Sequence, residues 1–573
     1  MMYLNKSSLT YMDRIFINAI IYTIDIKNCI YAAMGIKNGI IKVLGSNEEV
    51  MNFADTNTEI IDLNGRCVLP GFIDAYSSIP ISTLLEGRGV LLDEAETVDN
   101  YISLLEAYLQ NHKSDYMIWG IGWKYENEFK HNGCWINKIE AHKPIVLTEY
   151  SNEALLLNHE AVNYFKITKE TVPPVGGIIE IEQDEYGHYY ALLRGNAVNL
   201  ININRCFKFT DAEYSNELIK YEAMINSYGI TTAAVGNRDI IQIPIYAYKN
   251  LEQRNMLTAR INYRAKILPS EVCRKTVYEQ THEIKRNRIL HKTELFDISI
   301  GEIDIDGRIE LGLAYLFKPY IDGLEQYPED YRGKFMWHMI ELVEAIKMAN
   351  RLDINLIINA RGDYGSRLAM DGIEYSARNN ENHNYRNTIN HLDLISKYYI
   401  RRMKLLNVNA LVQPFWFDKK SEANYCTISR IGEGRAYRLY PFKSLIKAGI
   451  ITASSSDYYV KEKAEPLNAI GGAVCRNLYE FSSLGYPAKV DLTDSKYMLN
   501  PIEKVNVFEA VKSFTLNSAY ILGMEKETGS LEIGKKADFI VLDDDIFRVP
   551  PLKIKDIKVK RTYLAGKLVY ICE

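Results

Sequence analysis

At 573 residues, with 47% hydrophobic and 25% charged side chains, the chain has the balance of an ordinary soluble globular protein and length for more than one structural unit. A net charge of −5 from 68 basic and 73 acidic residues, without a basic stripe interleaved with aromatics, argues against a polyanionic partner, so nucleic acid is not expected. The eight cysteines form no Cys-x-x-Cys pair, which argues against a disulfide framework or zinc knuckle and suits a reducing compartment. The 41 tyrosines, with abundant Ile, Asn and Lys, read as drift in nucleotide composition.

In chain order, the first 70 residues read as short strands. Residues 15–25 and 34–36 precede a tight turn at Lys37-Asn38-Gly39, where Asn-Gly supplies positive φ. Residues 40–44 and 59–63, a second turn at Asn64-Gly65, and residues 67–69 continue the pattern. The apolar run near the start is broken by Asn18 and Thr23, too short to span a membrane, and has no basic start with a small-residue cleavage site. A cytoplasmic protein with no membrane partner is the expectation. The far end mirrors the beginning: strands at 537–542, 557–564 and 567–570, with a turn at Ala565-Gly566. Residues 1–70 and 520–573 therefore suggest one composite β-sandwich domain.

The middle alternates helix and strand. Helical periodicity over 215–228 leads into a strand at 230–235, and 336–350 leads into 355–358. Residues 391–406 then lead to 410–412, and 439–448 to 450–453. Repeated helix-then-strand units imply a parallel sheet, and their regular spacing favours an α/β fold, a closed (β/α)8 TIM-like barrel over 71–519. Residues 80–200 fit the alternation poorly and contain Pro173-Pro174 and Gly176-Gly177. They read as an inserted lobe over the barrel mouth.

A series of short motifs runs through the chain. It begins with Ile-Asp-Leu-Asn-Gly-Arg (61–66) and Val-Leu-Pro-Gly-Phe-Ile-Asp-Ala (68–75), and continues with Pro-Pro-Val-Gly-Gly (173–177) and Ala-Leu-Leu-Arg (191–194). Gly-Ile-Thr-Thr (229–232), Asp-Gly (306–307), Gly-Asp (362–363) and Val-Gln-Pro (412–414) follow. Arg-Ile-Gly (430–432), Tyr-Pro-Phe-Lys-Ser-Leu (440–445), Ser-Ser-Asp (455–457) and the run from Gly529 to Asp543 complete the set. In this order the chain resembles amidohydrolase family 3, the N-substituted formamide deformylase-like or YtcJ-like branch of the amidohydrolase superfamily, over nearly its whole length. The resemblance implies a metal-dependent hydrolase of carbon–nitrogen, non-peptide bonds in a small amide-like substrate. Dimers are the family habit, so a homodimer is one expectation.

Carried over residue by residue, the resemblance also implies a degenerate metal site. The family's first His-x-His pair falls at Tyr76 and Ser78, and its fifth-strand histidine at Asn359. What remains is Glu302 at the bridging position, His391 on the sixth strand and Asp457 after the last strand. Two carboxylates and one imidazole are the donors left for one divalent metal, zinc or manganese; the alternative is none. In the family, metal lowers the pKa of bound water from about 16 toward about 7, and the aspartate at the position of Asp457 is the catalytic proton carrier. Without the cation that route is crippled. Glu153, at the family's lobe-histidine position, and Arg361 are the candidate substrate-binding residues. The ten histidines include no His-x-His and no i, i+4 pair, so no other zinc cluster is legible. Alternatives are a metal-free pseudoenzyme binding a small molecule or a partner, and a repurposed metal-independent isomerase or lyase using Tyr76, Asn359, Arg361, His391 and Asp457.

Overall fold

The computed structural model describes residues 11–79, 84, 88–93, 95, 97–125, 133–139, 142–201, 208–236, 243–321, 327–381, 385–417, 422–458, 465–477 and 498–572. Eight strands form the central sheet: β1 (Phe72–Ser78), β2 (Ile230–Gly236), β3 (Arg260–Lys266), β4 (Phe296–Asp304), β5 (Asn355–Ala360), β6 (Asn387–His391), β7 (Asn409–Val412) and β8 (Thr452–Ser454). Neighbours pair in that order and always in parallel. The ring closes just past β8, where Asp457 N donates to Tyr76 O at 3.1 Å and Ser78 N to Tyr458 O at 3.2 Å. The buried Asp74 carboxylate accepts from Ser456 N at 2.9 Å across the same seam. The fold is the α/β barrel that the alternation implies.

The helices around it begin where the sequence supplies caps. Thr210 and Thr276 each form a capping box with a glutamate three residues on, starting Asp211–Ser227 and Val277–His291. One boundary differs from the periodicity. The helical stretch expected over 391–406 begins only at Lys397, and His391 ends β6. Positive φ at His391 (72°) and Leu392 (52°) turns the chain out of the strand and is incompatible with a helix there.

Inside the barrel, β1 carries one residue more than β2 between Asp74 and Ser77. A bulge of this kind re-aims side chains. Ser77 Oγ turns outward to the Tyr221 hydroxyl at 3.0 Å, while Tyr76 joins the interior cluster with Ile73, Ala234, Ile300 and Ile357. Helix Leu516–Leu522 covers the opposite end: Asn517 donates to Thr452 O at 2.8 Å, and Ala519, Ile521 and Leu522 complete the same cluster.

Three further sheets surround this core. A four-stranded sheet near the start runs Ile40–Gly45, Ala33–Lys37, Arg14–Ile17, Glu59–Asp62. A six-stranded sheet interleaves both chain ends: Lys567–Ile571, Val559–Leu564, Phe539–Leu542, Cys67–Pro70, Ile20–Tyr22, Ile30–Tyr31. The two share a core in which Phe16 meets Phe539 edge-on at 5.0 Å and Phe539 stacks on Tyr563 at 4.4 Å. The turns at Asn38-Gly39, Asn64-Gly65 and Ala565-Gly566 have positive φ at both residues, as a tight hairpin turn requires. The single strand expected over 15–25 is two strands parted at Asn18, where φ is 53°. Between β1 and β2 lies a six-stranded mixed sheet whose members run from Val90–Leu91 to Tyr189–Gly195. Among the described residues no helix is long and apolar enough to cross a membrane.

Candidate functional site

Strand β3 reads Arg-Ile-Asn-Tyr-Arg-Ala-Lys, polar at every second residue. Because strand side chains alternate between faces, Arg260, Asn262, Arg264 and Lys266 share the barrel interior while Ile261 packs outward in the main core. Arg264 reaches the centre. Its side chain has no solvent exposure, and its Nε donates to Glu302 Oε2 at 3.0 Å. Nη1 donates to Ser77 O at 3.0 Å and Ala234 O at 2.6 Å. The guanidinium carbon stands 3.6 Å from the centre of the Tyr76 ring, a desolvated cation–π contact.

From this pair a hydrogen-bonded belt runs around the barrel mouth. The Tyr76 hydroxyl donates to Glu302 Oε1 at 2.8 Å and accepts from Asn359 Nδ2 at 2.9 Å. Asn359 Nδ2 also lies 3.1 Å from Glu302 Oε1 and 2.5 Å from Asp304 Oδ1. Asn390 Nδ2 donates to Asn359 Oδ1 at 2.8 Å, and Gln413 Nε2 donates to Asn390 Oδ1 at 2.6 Å and Ser455 Oγ at 3.1 Å. With its amide nitrogen so engaged, Gln413 turns Oε1 to His391 Nδ1 at 3.1 Å. That assigns the imidazole proton to Nδ1 and a lone pair to Nε2. The His391 ring meets Tyr76 edge-on at 5.7 Å.

A cavity of about 70 Å³ opens above the belt. Tyr76, Glu302, Asn359 and His391 form its floor, Lys266 and Arg361 its cationic side, and the segments 151–153 and 195–199 its far wall. Lys266 is paired with Asp304 at 3.2 Å. Arg361 lies 3.4 Å from Asp393 and 3.9 Å from Asp457. Burial works against the Arg361 charge, but Asp393, Glu153 and Asp457 outweigh it and hold the guanidinium protonated. Glu153 accepts the backbone N–H of Arg308 at 2.9 Å, so it braces the loop after β4 as well as lining the cavity. His159 lies away from this cavity, its Nδ1 accepting from Tyr189 N at 3.0 Å.

The carboxyl groups divide by environment. Burial raises Glu302, but the Arg264 and Lys266 charges and the hydrogen bonds from Arg264 and Tyr76 prevail and hold it down at about 2. Burial pushes Asp306 up to about 8, although three backbone N–H groups (Arg361, Tyr315 and Gly362) donate to it at 2.8–2.9 Å. Asp393 is pushed up to about 6 by burial, with Arg361 opposing.

The family model described as the amidohydrolase family matches residues 59–570. The chain belongs to the amidohydrolase family. It is similar to the N-substituted formamide deformylase of Arthrobacter pascens, with 23% identity over 582 residues that cover 97% of this chain and 98% of that protein. Among solved structures, an uncharacterized metal-dependent hydrolase from Pyrococcus horikoshii OT3 superposes with a TM-score of 0.67 at 20% identity, covering 94% of this chain and 99% of that one. Another from Pyrococcus furiosus gives 0.65 at 20%, covering 93% and 100%. These two likenesses carry the fold.

The family implies a divalent metal at the barrel centre, where a cation needs lone pairs converging on it. His391 retains the tautomer of a metal ligand, its Nδ1 proton held by an outer acceptor. The neighbouring groups do not fit. Both Glu302 oxygens already accept from Tyr76, Asn359 or Arg264. Asn359 turns N–H toward the centre and its oxygen away to Asn390. Asp457 faces Arg361. Ser78 Oγ is buried and has no hydrogen-bond partner among the described residues. Among the described residues no group of three or more His, Cys, Asp or Glu side chains is arranged to hold a metal ion.

Tyr76, Glu302, Asn359 and His391 are thus brought together, and Asp457 joins the Arg361 cluster beside them. Sequence reasoning missed Arg264, Lys266, Asn390 and Gln413. The period-two run of Arg260, Asn262, Arg264 and Lys266 was a usable signal, since a polar stripe on a barrel strand points to the mouth or to a buried pairing.

Proposed function

We propose that this amidohydrolase-family barrel binds a small polar molecule at its mouth and has reduced or lost the family's metal-activated hydrolysis of carbon–nitrogen bonds. The observation that carries this reading is the belt from Arg264 through Glu302, Tyr76, Asn359, Asn390 and Gln413 to His391. It joins the positions to which the resemblance assigns ligands into one continuous run of donors and acceptors. The cavity above retains Lys266, Arg361 and His391. Such convergent polar groups orient a ligand in a pocket of this kind.

A second reading is favoured by His391 alone. Its Nδ1 proton is fixed by Gln413, which makes Nε2 the basic nitrogen of a ring that lines the cavity. That arrangement suits a metal-independent isomerase or lyase. The test is a thermal-shift screen of small amides, amines and carboxylates, followed by turnover assays with and without chelator. The expected result is a raised Tm for one class, unchanged by chelator, with no ammonia, amine or formate released. Turnover abolished by chelator and restored by zinc or manganese overturns the proposal. Deuterium exchange into a bound ligand, lost in His391→Ala, selects the second reading.

A further inference from the structure

The Arg264 guanidinium lies in a built cage. Three of its sides are the Glu302 carboxylate, the Tyr76 ring face and the backbone carbonyls of Ser77 and Ala234. The fourth is Gly236 at the end of β2, where a Cβ would come within 2.5 Å of Arg264 Nη2 and 3.1 Å of Glu302 Oε2. A side chain at that position would intrude on the ion pair. Elements from β1 to β4 therefore converge on one guanidinium, buried at the strand ends where chemistry in such barrels is carried out.

Charge balance shows what the guanidinium does. A buried carboxylate such as Glu302 costs several kcal/mol unless a counter-charge is close, and in a metal-dependent barrel the metal is that counter-charge. Here the nearest cation is covalently part of the chain. A divalent ion approaching Glu302 would meet a fixed positive charge about 3 Å from the carboxylate, in a medium where like charges repel strongly. The substitutions at Tyr76 and Asn359 fit the same arrangement. An aromatic face receives a guanidinium, and an amide N–H donates to the carboxylate oxygen that Arg264 leaves over.

We propose that Arg264 supplies, from within the chain, the positive charge that a divalent metal supplies at the barrel centre of metal-dependent relatives, and so locks the centre in a metal-free state. The inference rests on the metal-free part of the reading above, whose belt begins at Arg264, and is separable from its ligand-binding part, because Arg264 is not among the groups that line the cavity.

Chemical unfolding of Arg264→Met and of Arg264→Met/Glu302→Gln, with guanidinium rescue of Arg264→Ala, tests it. Arg264→Met strands a buried carboxylate, so its unfolding constant should rise on the order of 100-fold or more. The double variant removes both charges and should recover at least about tenfold of that loss, the non-additivity expected of a directly coupled pair. In Arg264→Ala, millimolar guanidinium chloride should raise the Tm while equal sodium chloride or urea does not. A double variant no more stable than Arg264→Met overturns the proposal, and so does an Arg264→Ala protein that guanidinium leaves unchanged. If Arg264→Ala does not fold, the comparison of the Met single with the double variant decides. A negative ligand screen leaves this proposal standing, whereas loss of coupling between Arg264 and Glu302 leaves the ligand reading standing.

Discussion

Strand β3 carries two buried arginine–carboxylate pairs, one at each end, and they do different work. At the opening end of the strand, Arg260 pairs with Asp538 of the C-terminal strand Phe539–Leu542 region, Nε to Oδ2 at 2.9 Å. Asp538 has other donors there: Thr528 Oγ1 at 3.0 Å and Ala565 N at 2.7 Å. That pair fastens the chain's last segment to the barrel. At the mouth, Arg264 pairs with Glu302 among groups to which the family resemblance assigns metal-ligand positions. The chemistry of the two pairs is alike, so their contrast separates what an ion pair does for the fold from what this one replaces.

The largest effects should come from cutting either pair. Arg264→Met should cost about 3–5 kcal/mol in urea unfolding, because Glu302 is left buried and charged. Arg260→Met should cost a comparable amount, since Asp538 keeps the donors Thr528 and Ala565 much as Glu302 keeps Tyr76 and Asn359. A loss under about 1 kcal/mol at either pair would show that its two charges are not coupled.

Acid should act next, and at the mouth. Glu302 is held at about 2, below its ordinary value of 4.5. A folded pKa below the unfolded one contributes stability that is full above about pH 4.5 and lost as pH falls toward 2, here on the order of 3 kcal/mol. Unfolding measured across that window should show the loss in the native protein and a smaller one in Arg264→Met/Glu302→Gln. The same slope in both would place the titrating group elsewhere.

Tyr76→Phe removes the hydroxyl that links Glu302 to Asn359 but keeps the ring under Arg264. A loss of about 1–2 kcal/mol is expected. Ser78→Ala should have the smallest effect, within about 0.5 kcal/mol of the native protein, because the hydroxyl has no hydrogen-bond partner among the described residues. A large loss there would point to a bound group at Ser78 that the other residues do not reveal.

The fold was legible because its cues are local or collinear. Helix-then-strand alternation, Asn-Gly turns and the Pro-Gly-Phe-Ile-Asp-Ala frame each read without knowledge of the rest. The expectation of substituted ligand positions at Tyr76, Ser78 and Asn359 comes from the same collinear frame. The belt that links Tyr76 and Asn359 was not legible, because it depends on register between strands far apart in sequence. Glu302 could be read as a residual ligand or a lone strand-end acid, and its partner Arg264 lies on the preceding strand, marked only by the period-two polar run that carries it. His391 shows a second limit: periodicity put it at the start of a helix over 391–406, whereas the resemblance put it on the sixth strand, and it ends that strand. Asp457 lies just after β8 at a positive φ of 53°, a conformation that Asp tolerates better than most residues but that its sequence position alone does not require.

The most direct test of the central claim is the metal content of the native protein, purified without chelator and then dialysed against zinc and against manganese. The account predicts metal far below one equivalent per chain in both cases, with a Tm unchanged by the ions. One tightly held equivalent that disappears in His391→Ala would contradict it and restore a metal-dependent hydrolase.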